Sequence, residues 1–483
     1  MRTQSLKTNF IFNLINVISS LLFPLITFPY VSRVIMPNGI GQVQFFQSII
    51  NYIILFTSIG IPTYAIREVA KVRDNKKEMS KTSVEILLLH FILTIIGYFI
   101  VGIISITYSK VQEDLWLFFI LSGSIAFTAI GCNWFYSGIE EFKYITIRGL
   151  IVKIVCVILL FIFVKTKYDL VFYAIYCVLG TVGNNVINFV RLGKYIDLFS
   201  FRIKELQLFR HLKPAMHVFV LNLVVSIYVN LDTVMLGVLS DAASVGYYTA
   251  ATRLSHMLVT LVISLGTVLL PRLSNLIKNS QYDEFKRLSQ KSYNFILCMS
   301  LPLTFGVILI SRPLLLLFSG EAFIPAVSTL RLMIPITIII GLSNLIGMQI
   351  LYPQDKINLV IVCTSIGAAI NFVMNLCLIP ILQQDGAAIS TLTAEIAVSL
   401  SMFVLGRKYL PFDVINIDVI KYIVATTIMF AVGFVIRQFV DNIFVELTLI
   451  IISCFIIYFT TLLVFKASLA IDILSVVRKK VKI

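Results

Sequence analysis

Four ionisable side chains lie well inside apolar stretches in the second half of this sequence. Asp232 and Arg253 occupy the two arms of an apolar hairpin that turns at 240–242, and Arg331 and Glu395 lie in later apolar runs. If the arms are helical, Asp232 is about 11 Å and Arg253 about 15 Å from the turn. Charge inside an apolar span is costly, so such residues either pair with each other or line a path for a polar substrate. For Asp232 and Arg253 both interpretations stay open on spacing alone.

Amide side chains occupy similar places in the first half of the chain. Asn9, Asn13 and Asn16 recur at the spacing of one helix face. Amides inside apolar spans join neighbouring helices as often as they bind sugars, and the sequence leaves both roles open. The full set is Asn9, Asn13, Asn16, Gln44, Gln47, Asn51, Asn184, Asn185 and Asn188.

The composition places these residues in a membrane protein. The chain has 483 residues, of which 59% are hydrophobic and 13% charged, whereas soluble domains carry about 25% charged residues. Apolar runs of about 20 residues recur throughout the sequence, as bilayer-spanning helices require. The runs are continuously apolar rather than alternating, which favours helices over a barrel. We therefore expect an all-α integral membrane protein.

The apolar runs predict about fourteen transmembrane helices. Several are longer than a bilayer needs, so tilt is expected. The predicted ranges are 8–36, 40–66, 83–108, 115–139, 145–165, 169–190, 214–239, 243–271, 293–318, 325–352, 357–380, 385–405, 420–438 and 444–465.

The basic residues predict the orientation. Most of the 39 Lys and Arg residues lie at the two termini or in the connections that follow even-numbered helices. The positive-inside rule then places these connections and both termini in the cytoplasm. The formal net charge of +15 is thus a topology signal, and no nucleic-acid partner is expected. The main basic segments are Arg67–Lys81, Arg191–Lys213, Arg272–Lys291 and Arg478–Lys482.

Motifs of soluble catalytic domains do not occur in this sequence. It contains no phosphate-binding loop, no zinc-protease motif and no dinucleotide-binding motif. The seven cysteines all fall inside apolar runs and are interpreted as small buried hydrophobic residues, not as a metal site or disulfide framework. We expect a protein that is not an enzyme and has no cofactor, with a proton or sodium gradient as an energy source.

An internal repeat predicts the domain organisation. Gly41 precedes Arg67 by the same spacing with which Gly246 precedes Arg272, and each pair frames one long helix. Six predicted helices separate the copies, so two pseudo-symmetric lobes should surround a central cavity. The predicted domains are an N-lobe at 1–190, a basic cytoplasmic linker at 191–213, a C-lobe at 214–405, and two extra helices with a basic tail at 406–483.

Several short motifs resemble those of Wzx-type oligosaccharide flippases, polysaccharide-synthesis members of the MOP superfamily. The similarity spans most of the chain, and the order of the motifs is more specific than any one of them. They are Pro29-Tyr-Val-Ser-Arg33 with Gly39-Ile-Gly41, Gly60-Ile61 with Arg67-Glu-Val-Ala70, Asn133-Trp-Phe-Tyr-Ser-Gly138, Leu231-Asp-Thr-Val-Met-Leu-Gly237 with Val245-Gly-Tyr-Tyr248, and Asn371, Asn375 and Pro380 with Gly386-Ala-Ala388.

The resemblance implies a function and a substrate. Such proteins export undecaprenyl-diphosphate-linked oligosaccharide repeat units across the bacterial cytoplasmic (inner) membrane for O-antigen, capsule or related polysaccharides. Their partners are the lipid bilayer, the lipid-linked glycan, and the polysaccharide polymerase and chain-length machinery. Their cavities are cationic, which suits a diphosphate.

The resemblance also assigns roles to particular residues. Arg253 corresponds to a cavity arginine on helix 8 of related lipid II flippases. Arg33 is the nearest counterpart of the helix 1 arginine, although no Asp follows it as the family pattern requires. With Arg331, Asn13 and Asn51 these residues are the predicted substrate-binding set. Asp232 and Glu395 either orient the arginines or take up a coupling proton or sodium ion.

Three other classes were weighed against a flippase. A MATE-like, cation-coupled multidrug antiporter belongs to the same superfamily, but usually has twelve helices and acidic groups in its first lobe, where this sequence has no clearly mid-span carboxylate. A membrane-bound glycan polymerase or ligase would need a sizeable outer loop, and the predicted outer loops are short. A purely structural scaffold would not need a repeated helix set that could enclose a cavity.

Overall fold

The computed structural model describes residues 6–198 and 200–471. Within these ranges the structure describes every side chain apart from those of residues 6–11, 13, 14, 17, 21, 203, 220–222, 224–229, 265, 267 and 268. The predicted basic tail Arg478–Lys482 lies outside the described residues.

The described residues form sixteen α-helices. A short 3-10 turn, Leu208–His211, leads into α9, and a π-helical segment, Leu345–Leu351, follows α13. The helices are α1 Leu6–Ser58, α2 Ile61–Val72, α3 Lys76–Thr107, α4 Ser109–Gln112, α5 Leu115–Ala129, α6 Asn133–Gly138, α7 Phe142–Phe163, α8 Leu170–Leu192, α9 Leu212–Leu239, α10 Ala242–Lys278, α11 Tyr282–Ser319, α12 Ala326–Met333, α13 Ile336–Asn344, α14 Ile357–Gly406, α15 Ile417–Phe439 and α16 Ile443–Val464.

The two longest helices are each broken once. Met36 in α1 has a φ of 65°, and Gln383 in α14 has a φ of 51°. A proline follows Met36 directly and disfavours the α conformation at Met36, so the helix is interrupted there. These breaks coincide with the gaps that the sequence predicts at 36–40 and 380–385.

The lengths of the helices confirm an all-α, multi-pass membrane protein. Ten helices in the described residues are long and apolar enough to cross a bilayer, or eleven if the bent α10 is counted as one span. One of these candidate spans, Ile18–Val72, combines most of α1 with α2 and has 55 residues. Its length along the helix is roughly 80 Å, whereas the hydrocarbon core of a bilayer is about 30 Å thick. A span of that length with a break at Met36 is long enough to cross twice. The count of fourteen crossings stays a prediction.

Two predicted cytoplasmic loops are wrong in extent, because most of their residues are helical. Of the predicted loop Arg272–Lys291, only the turn between Lys278 and Tyr282 lies outside helix, and α2 and α3 leave a similarly short turn after Val72. Beyond each apolar run the helix continues for one or more further turns that carry charged residues. Hydropathy locates the part of a helix that lies in lipid and not the part that extends beyond it.

Contacts within the chain divide it into two compact units, with the division between Gly246 and Tyr247. In the first unit α1 packs against α3, α5, α7 and α9, and α2 packs against α3, α6 and α9. In the second unit α11 packs against α12, α13, α15 and α16, and α14 packs against α12 and α13. The predicted boundaries of the lobes stay a prediction.

Each unit has its own apolar core. In the first unit one apolar cluster lies at the ends of the helices that the basic connections join, which we call the basic end. Phe135 and Tyr136 are fully buried there beside Ile61 of α2. In the second unit α15 and α16 complete a core with α11, and Tyr458 donates a hydrogen bond to the Cys298 backbone carbonyl at 2.7 Å.

The two repeat-related glycines lie at a very close approach of backbones in the first unit. A Cβ added to Gly41 would lie 1.6 Å from the Ala242 carbonyl oxygen, and a Cβ added to Gly246 would lie 2.1 Å from the Pro37 carbonyl oxygen. Only glycine permits α1 and the start of α10 to meet in this way. Each glycine therefore makes room for the segment that carries the other.

Replacing Gly41 by alanine should destabilise the protein. The methyl group has no space unless the helices separate, and overpacking of this kind costs about 1–3 kcal/mol. Gly102→Ala is the matched control, because a Cβ there would meet nothing within 4 Å. We expect a lower melting temperature in detergent for Gly41→Ala and an equal or higher one for Gly102→Ala, because alanine is the better helix former. Equal melting temperatures would show that this approach does not constrain the fold.

Candidate functional site

The predicted site residues of the first unit lie on α1 and α9. Asp232 on α9 is buried, with 4% of its surface exposed. Arg33 is exposed and donates from Nη1 to the Pro29 carbonyl at 2.6 Å, one turn earlier in α1. Asn51 is half-buried and accepts a hydrogen bond from Gln47 at 3.3 Å. The side chain of Asn13 lies outside the described residues.

The predicted site residues of the second unit lie on three helices. Arg253 on α10 is half-buried, and Glu395 on α14 is buried. Arg331 on α12 donates from Nε to the Ser311 hydroxyl of α11 at 2.7 Å, which holds it against a neighbouring helix. Asp232 falls in the first unit, so its predicted pairing with Arg253 stays a prediction.

Lys153 is a cation in the middle of a span of the first unit. It lies on α7, eleven residues after Phe142, or about 16 Å along the helix. Its ammonium group donates to the hydroxyls of Ser19 at 2.8 Å and Ser20 at 3.0 Å, both on α1. The same ammonium lies 5.8 Å from the centre of the Phe23 ring. All of these partners are neutral.

The side of α7 that faces α1 positions this lysine. The Thr146 hydroxyl donates to the Phe12 carbonyl at 2.9 Å, and a Cβ on Gly149 would lie 3.8 Å from the Asn16 amide oxygen. Thr146, Gly149 and Lys153 are spaced i, i+3 and i+7, so they share one helix face. Of the predicted amide face of α1, Asn16 meets this polar face of α7, while the side chains of Asn9 and Asn13 lie outside the described residues.

The chemistry of the Lys153 site favours an anion. Within the described parts of the chain no carboxylate lies at ion-pair distance from Lys153. A cation inside a span is stabilised by counter-charge, and hydroxyls supply only dipoles. A lysine with two serines can bind a phosphate group of a substrate, since all three can donate to its oxygens.

A second polar cluster lies at the basic end of the first unit. The Tyr64 hydroxyl is 2.8 Å from His211 Nδ1, and His211 Nε2 is 3.0 Å from Glu85 Oε2. The fully buried Glu85 also accepts from the Gln207 backbone N–H at 2.8 Å and pairs with Arg210 at 2.5 Å. A neutral imidazole satisfies this geometry by accepting from the tyrosine and donating to the carboxylate.

This cluster fastens the segment before α9 to α2 and α3. Glu85 and His211 are 126 residues apart, and Tyr64 and His211 are 147 apart. Neither Glu85 nor His211 is among the predicted site residues. No short-range spacing signal could have joined residues at such separations.

A lysine at the opposite end of the first unit caps a helix. Lys110 donates to the backbone carbonyls of Gly237 at 2.7 Å and Ser240 at 2.8 Å, where α9 ends. A cation stabilises the negative end of a helix dipole. The adjoining cavity of about 440 Å³ also presents Gln42, Glu113 and Asp241.

An apolar groove of about 360 Å³ lies among α11, α15 and α16 of the second unit. Its lining includes Met299, Val307 and Phe455 and contains no Asp, Glu, Lys, Arg or His. It therefore offers no charged group to a sugar or a diphosphate, and we place it outside the candidate site.

Within residues 6–198 and 200–471, no group of three or more His, Cys, Asp or Glu side chains is placed to hold a metal ion. All seven cysteines are free. Five are buried, as predicted, whereas Cys177 is half-buried and Cys377 exposed, so the prediction that all seven are buried is wrong for these two.

Two family models match the chain. The model described as polysaccharide biosynthesis protein matches residues 6–277, more than half of the sequence. The MatE model matches residues 218–377.

Two sequence relatives carry the name "Putative O-antigen transporter". One, from Escherichia coli (strain K12), is 25% identical over 424 residues, which cover 84% of this chain and 98% of the relative. The other, from Shigella dysenteriae, is 24% identical over 383 residues, covering 79% and 95%.

Solved structures share the fold. The lipid II flippase MurJ in an inward closed conformation has a TM-score of 0.79 at 18% identity, covering 95% of this chain and 99% of that chain. An inward-facing multidrug resistance MATE family transporter of the MOP superfamily has a TM-score of 0.64 at 13% identity, covering 80% and 94%. These similarities confirm the predicted transporter fold.

The His211 cluster should make stability depend on pH. Burial lowers the pKa of His211 below its usual value of 6.5, although the hydrogen bond to Glu85 opposes the effect. Because the unfolded chain binds the proton more readily than the folded one, neutral His211 contributes to the stability of the fold above pH 6.5. This contribution is lost as the pH falls. We expect the melting temperature to drop from about pH 7 to about pH 5, and His211→Asn to flatten that drop.

His217→Asn is the control for this measurement, because His217 is exposed and bonds the Lys213 carbonyl of its own helix. It should keep the pH dependence of the parent protein. An identical slope in the parent and in His211→Asn would contradict the assignment of the slope to His211.

Proposed function

The chain belongs to the polysaccharide biosynthesis protein family, and on this premise we propose that it is a lipid-linked oligosaccharide flippase. It moves undecaprenyl-diphosphate-linked repeat units from the cytoplasmic to the outer leaflet of the bacterial inner membrane by alternating access. The product serves O-antigen, capsule or a related polysaccharide. The observation that carries the proposal is Lys153, a mid-span cation whose partners are all neutral.

The substrate explains why donors are fixed inside the membrane. A diphosphate and a glycan lose their hydration when they enter an apolar medium, and burial without new hydrogen bonds is costly. Lys153 with Ser19 and Ser20 replaces water around a phosphate, and Arg253 stays a predicted second cation. Amides such as Asn51 suit the sugar hydroxyls, while the prenyl chain stays in lipid.

The breaks in the long helices suit a carrier that changes conformation. Met36 in α1 and Gln383 in α14 interrupt the helices, and α10 bends by 41° between Ser264 and Leu269. Hinges are a few residues that absorb a large backbone change while the segments on either side stay intact. We propose that the bend in α10 is a hinge of alternating access, and that the breaks at Met36 and Gln383 are the turns between successive crossings.

The orientation follows from the basic connections. We propose that the basic end of the helices faces the cytoplasm, with both termini on the same side, as the positive-inside rule requires. The lipid-linked substrate then enters at the basic end.

Energy coupling is proposed at the buried carboxylates. Asp232 on α9 and Glu395 on α14 are 4% and 5% exposed, and carboxylates at such positions in transporters take up protons or sodium ions. They could instead orient the arginines, and a change of transport rate with an imposed proton or sodium gradient separates the roles. The polymerase and chain-length machinery are proposed partners on the outer side.

A MATE-like antiporter is the second candidate. The MatE match over 218–377 favours it, and the MATE family transporter shares the fold. The mid-span charge of the helices before α9 speaks against it: it is the cation Lys153 on α7, whereas a cation antiporter needs acidic groups to hold its substrate.

Deletion of the gene in the native host distinguishes these candidates. For a flippase we expect surface glycan to disappear and prenyl-linked repeat units to accumulate on the cytoplasmic leaflet of membrane vesicles. Restoring the gene should reverse both effects. Normal surface glycan together with raised sensitivity to cationic dyes would reject the flippase and favour the antiporter.

Removing either mid-span cation should impair transport. We expect Lys153→Gln and Arg253→Ala to lower glycan export at least about tenfold, because each removes a charge-assisted contact worth about 1.5–3 kcal/mol. Arg253→Lys should keep part of the activity. Lys143→Gln, an exposed site on the same helix as Lys153, is the control. Wild-type export by Lys153→Gln at matched membrane levels would exclude its role.

A further inference from the structure

Arg148 is buried among amides near the basic end of the first unit. It lies on α7, six residues after Phe142, with 8% of its surface exposed. Its guanidinium donates to the amide oxygens of Asn184 at 3.0 Å, Asn133 at 3.2 Å and Asn188. Three helices, α6, α7 and α8, thus hold one buried charge.

This arginine differs from other arginines at the same end in having no counter-charge. Arg73 pairs with Glu140 at 2.9 Å, Arg210 with Glu85 at 2.5 Å and Arg191 with Glu141 at 3.9 Å. Among the described residues, no carboxylate lies at ion-pair distance from Arg148. A buried charge that is not paired is strongly unfavourable unless a ligand supplies the opposite charge.

The amides leave hydrogen-bond donors unused. A guanidinium has five N–H groups, and each of the three amide oxygens takes one. The Nδ2 group of Asn188, which is fully buried, has no partner in the part of the chain that the structure describes. Surplus donors beside an unpaired positive charge match an anion with several acceptor oxygens.

A second cation connects this place to the surface. The guanidinium carbons of Arg148 and Arg191 lie 5.4 Å and 3.8 Å from the centre of the same Tyr144 ring. Arg191 and Tyr144 are both partly exposed. We call Tyr144, Arg148, Asn184, Asn188 and Arg191 the Arg148 cluster. Two guanidinium groups at one ring suit a ligand with two linked phosphates, since each planar fork can bind one phosphate.

We propose that the Arg148 cluster is a docking site for a prenyl diphosphate at the cytoplasmic leaflet, separate from the mid-span cation Lys153. This inference deepens the proposed function and rests on it for the direction of transport. The substrate's diphosphate enters beside Arg191 and Tyr144, becomes the counter-ion of Arg148, and accepts from Asn188 Nδ2. The next cation on α7 is Lys153, which lies five residues further from the basic end than Arg148.

Asn188→Asp tests the site with little change of shape. The new carboxylate keeps the acceptor for Arg148, removes the unpartnered donor, and supplies the missing counter-charge from within the protein. The folded protein should be at least as stable. The ligand should bind more weakly, because Arg148 then has a counter-charge within the protein. We expect the full-length protein in detergent to bind a C15 prenyl diphosphate at least about tenfold more weakly, as for the loss of about 1.4 kcal/mol.

Three controls sharpen the measurement. Lys194→Gln, an exposed lysine just after α8, should bind as the parent protein does. The melting temperature of Asn188→Asp should not fall, which separates lost binding from lost folding. Phosphatidylglycerol tests a lipid headgroup as the source of the phosphate, and it should displace the prenyl diphosphate only at large excess.

Unchanged binding by Asn188→Asp would overturn the proposal, and so would equal displacement by phosphatidylglycerol, which would make the cluster a general phospholipid site. Weakened binding confined to Asn188→Asp would support the proposal even if the gene deletion rejected export of glycans. If Asn188→Asp binds the prenyl diphosphate as the parent protein does, and the gene deletion shows export of glycans, the docking site is rejected and the proposed function stands.

Discussion

The structure of the first unit depends on how charges are compensated inside helices that lie in lipid. Water cannot stabilise an ion at that depth, so each charge needs a partner held by the fold. At the two ends of the unit, Lys110 contacts the carbonyls where α9 ends, and Glu85 contacts His211 and Arg210; both sets of contacts join separate elements. In the described part of the chain, the contacts of Lys153 and Arg148 are all with neutral groups. Compensated charges thus build the unit, and uncompensated ones mark where an anion binds.

Helix packing places these charges with little freedom. The face of α7 that meets α1 carries Lys153, and its face toward α8 carries Arg148. One helix therefore presents two cations five residues apart, which are fixed by different neighbours. At the other end of the unit, Gly41 and Gly246 allow backbones to approach as no other residue would. The positions of Lys153 and Arg148 are therefore fixed by helix packing before a substrate binds.

Most of the fold could be predicted from the sequence, because apolar runs and prolines are local signals. The predicted gaps near Met36 and Gln383 coincide with real breaks. The ends of the helices could not be predicted, since charged turns such as the start of α11 continue the helix beyond the lipid. Hydropathy detects the solvent around a helix and not its hydrogen bonds.

The candidate site could be predicted only in part. Lys153 is visible in the sequence as a charge within a span, but its partners Ser19 and Ser20 come from a distant helix. Arg148 was missed because the fifth helix was predicted to begin at 145, which puts this residue in the first turn, where basic residues signal orientation. The structure begins α7 at Phe142 and buries Arg148. Partners separated by long stretches of chain have no local signal.

The most direct test of the account is transport by the purified protein alone. Proteoliposomes would carry a fluorescent prenyl-diphosphate oligosaccharide in the inner leaflet, without ATP, and a membrane-impermeant reagent would report its arrival outside. The account predicts arrival at a rate that depends on the protein and falls in Lys153→Gln. Arrival no faster than in protein-free liposomes, under imposed proton and sodium gradients, would contradict it.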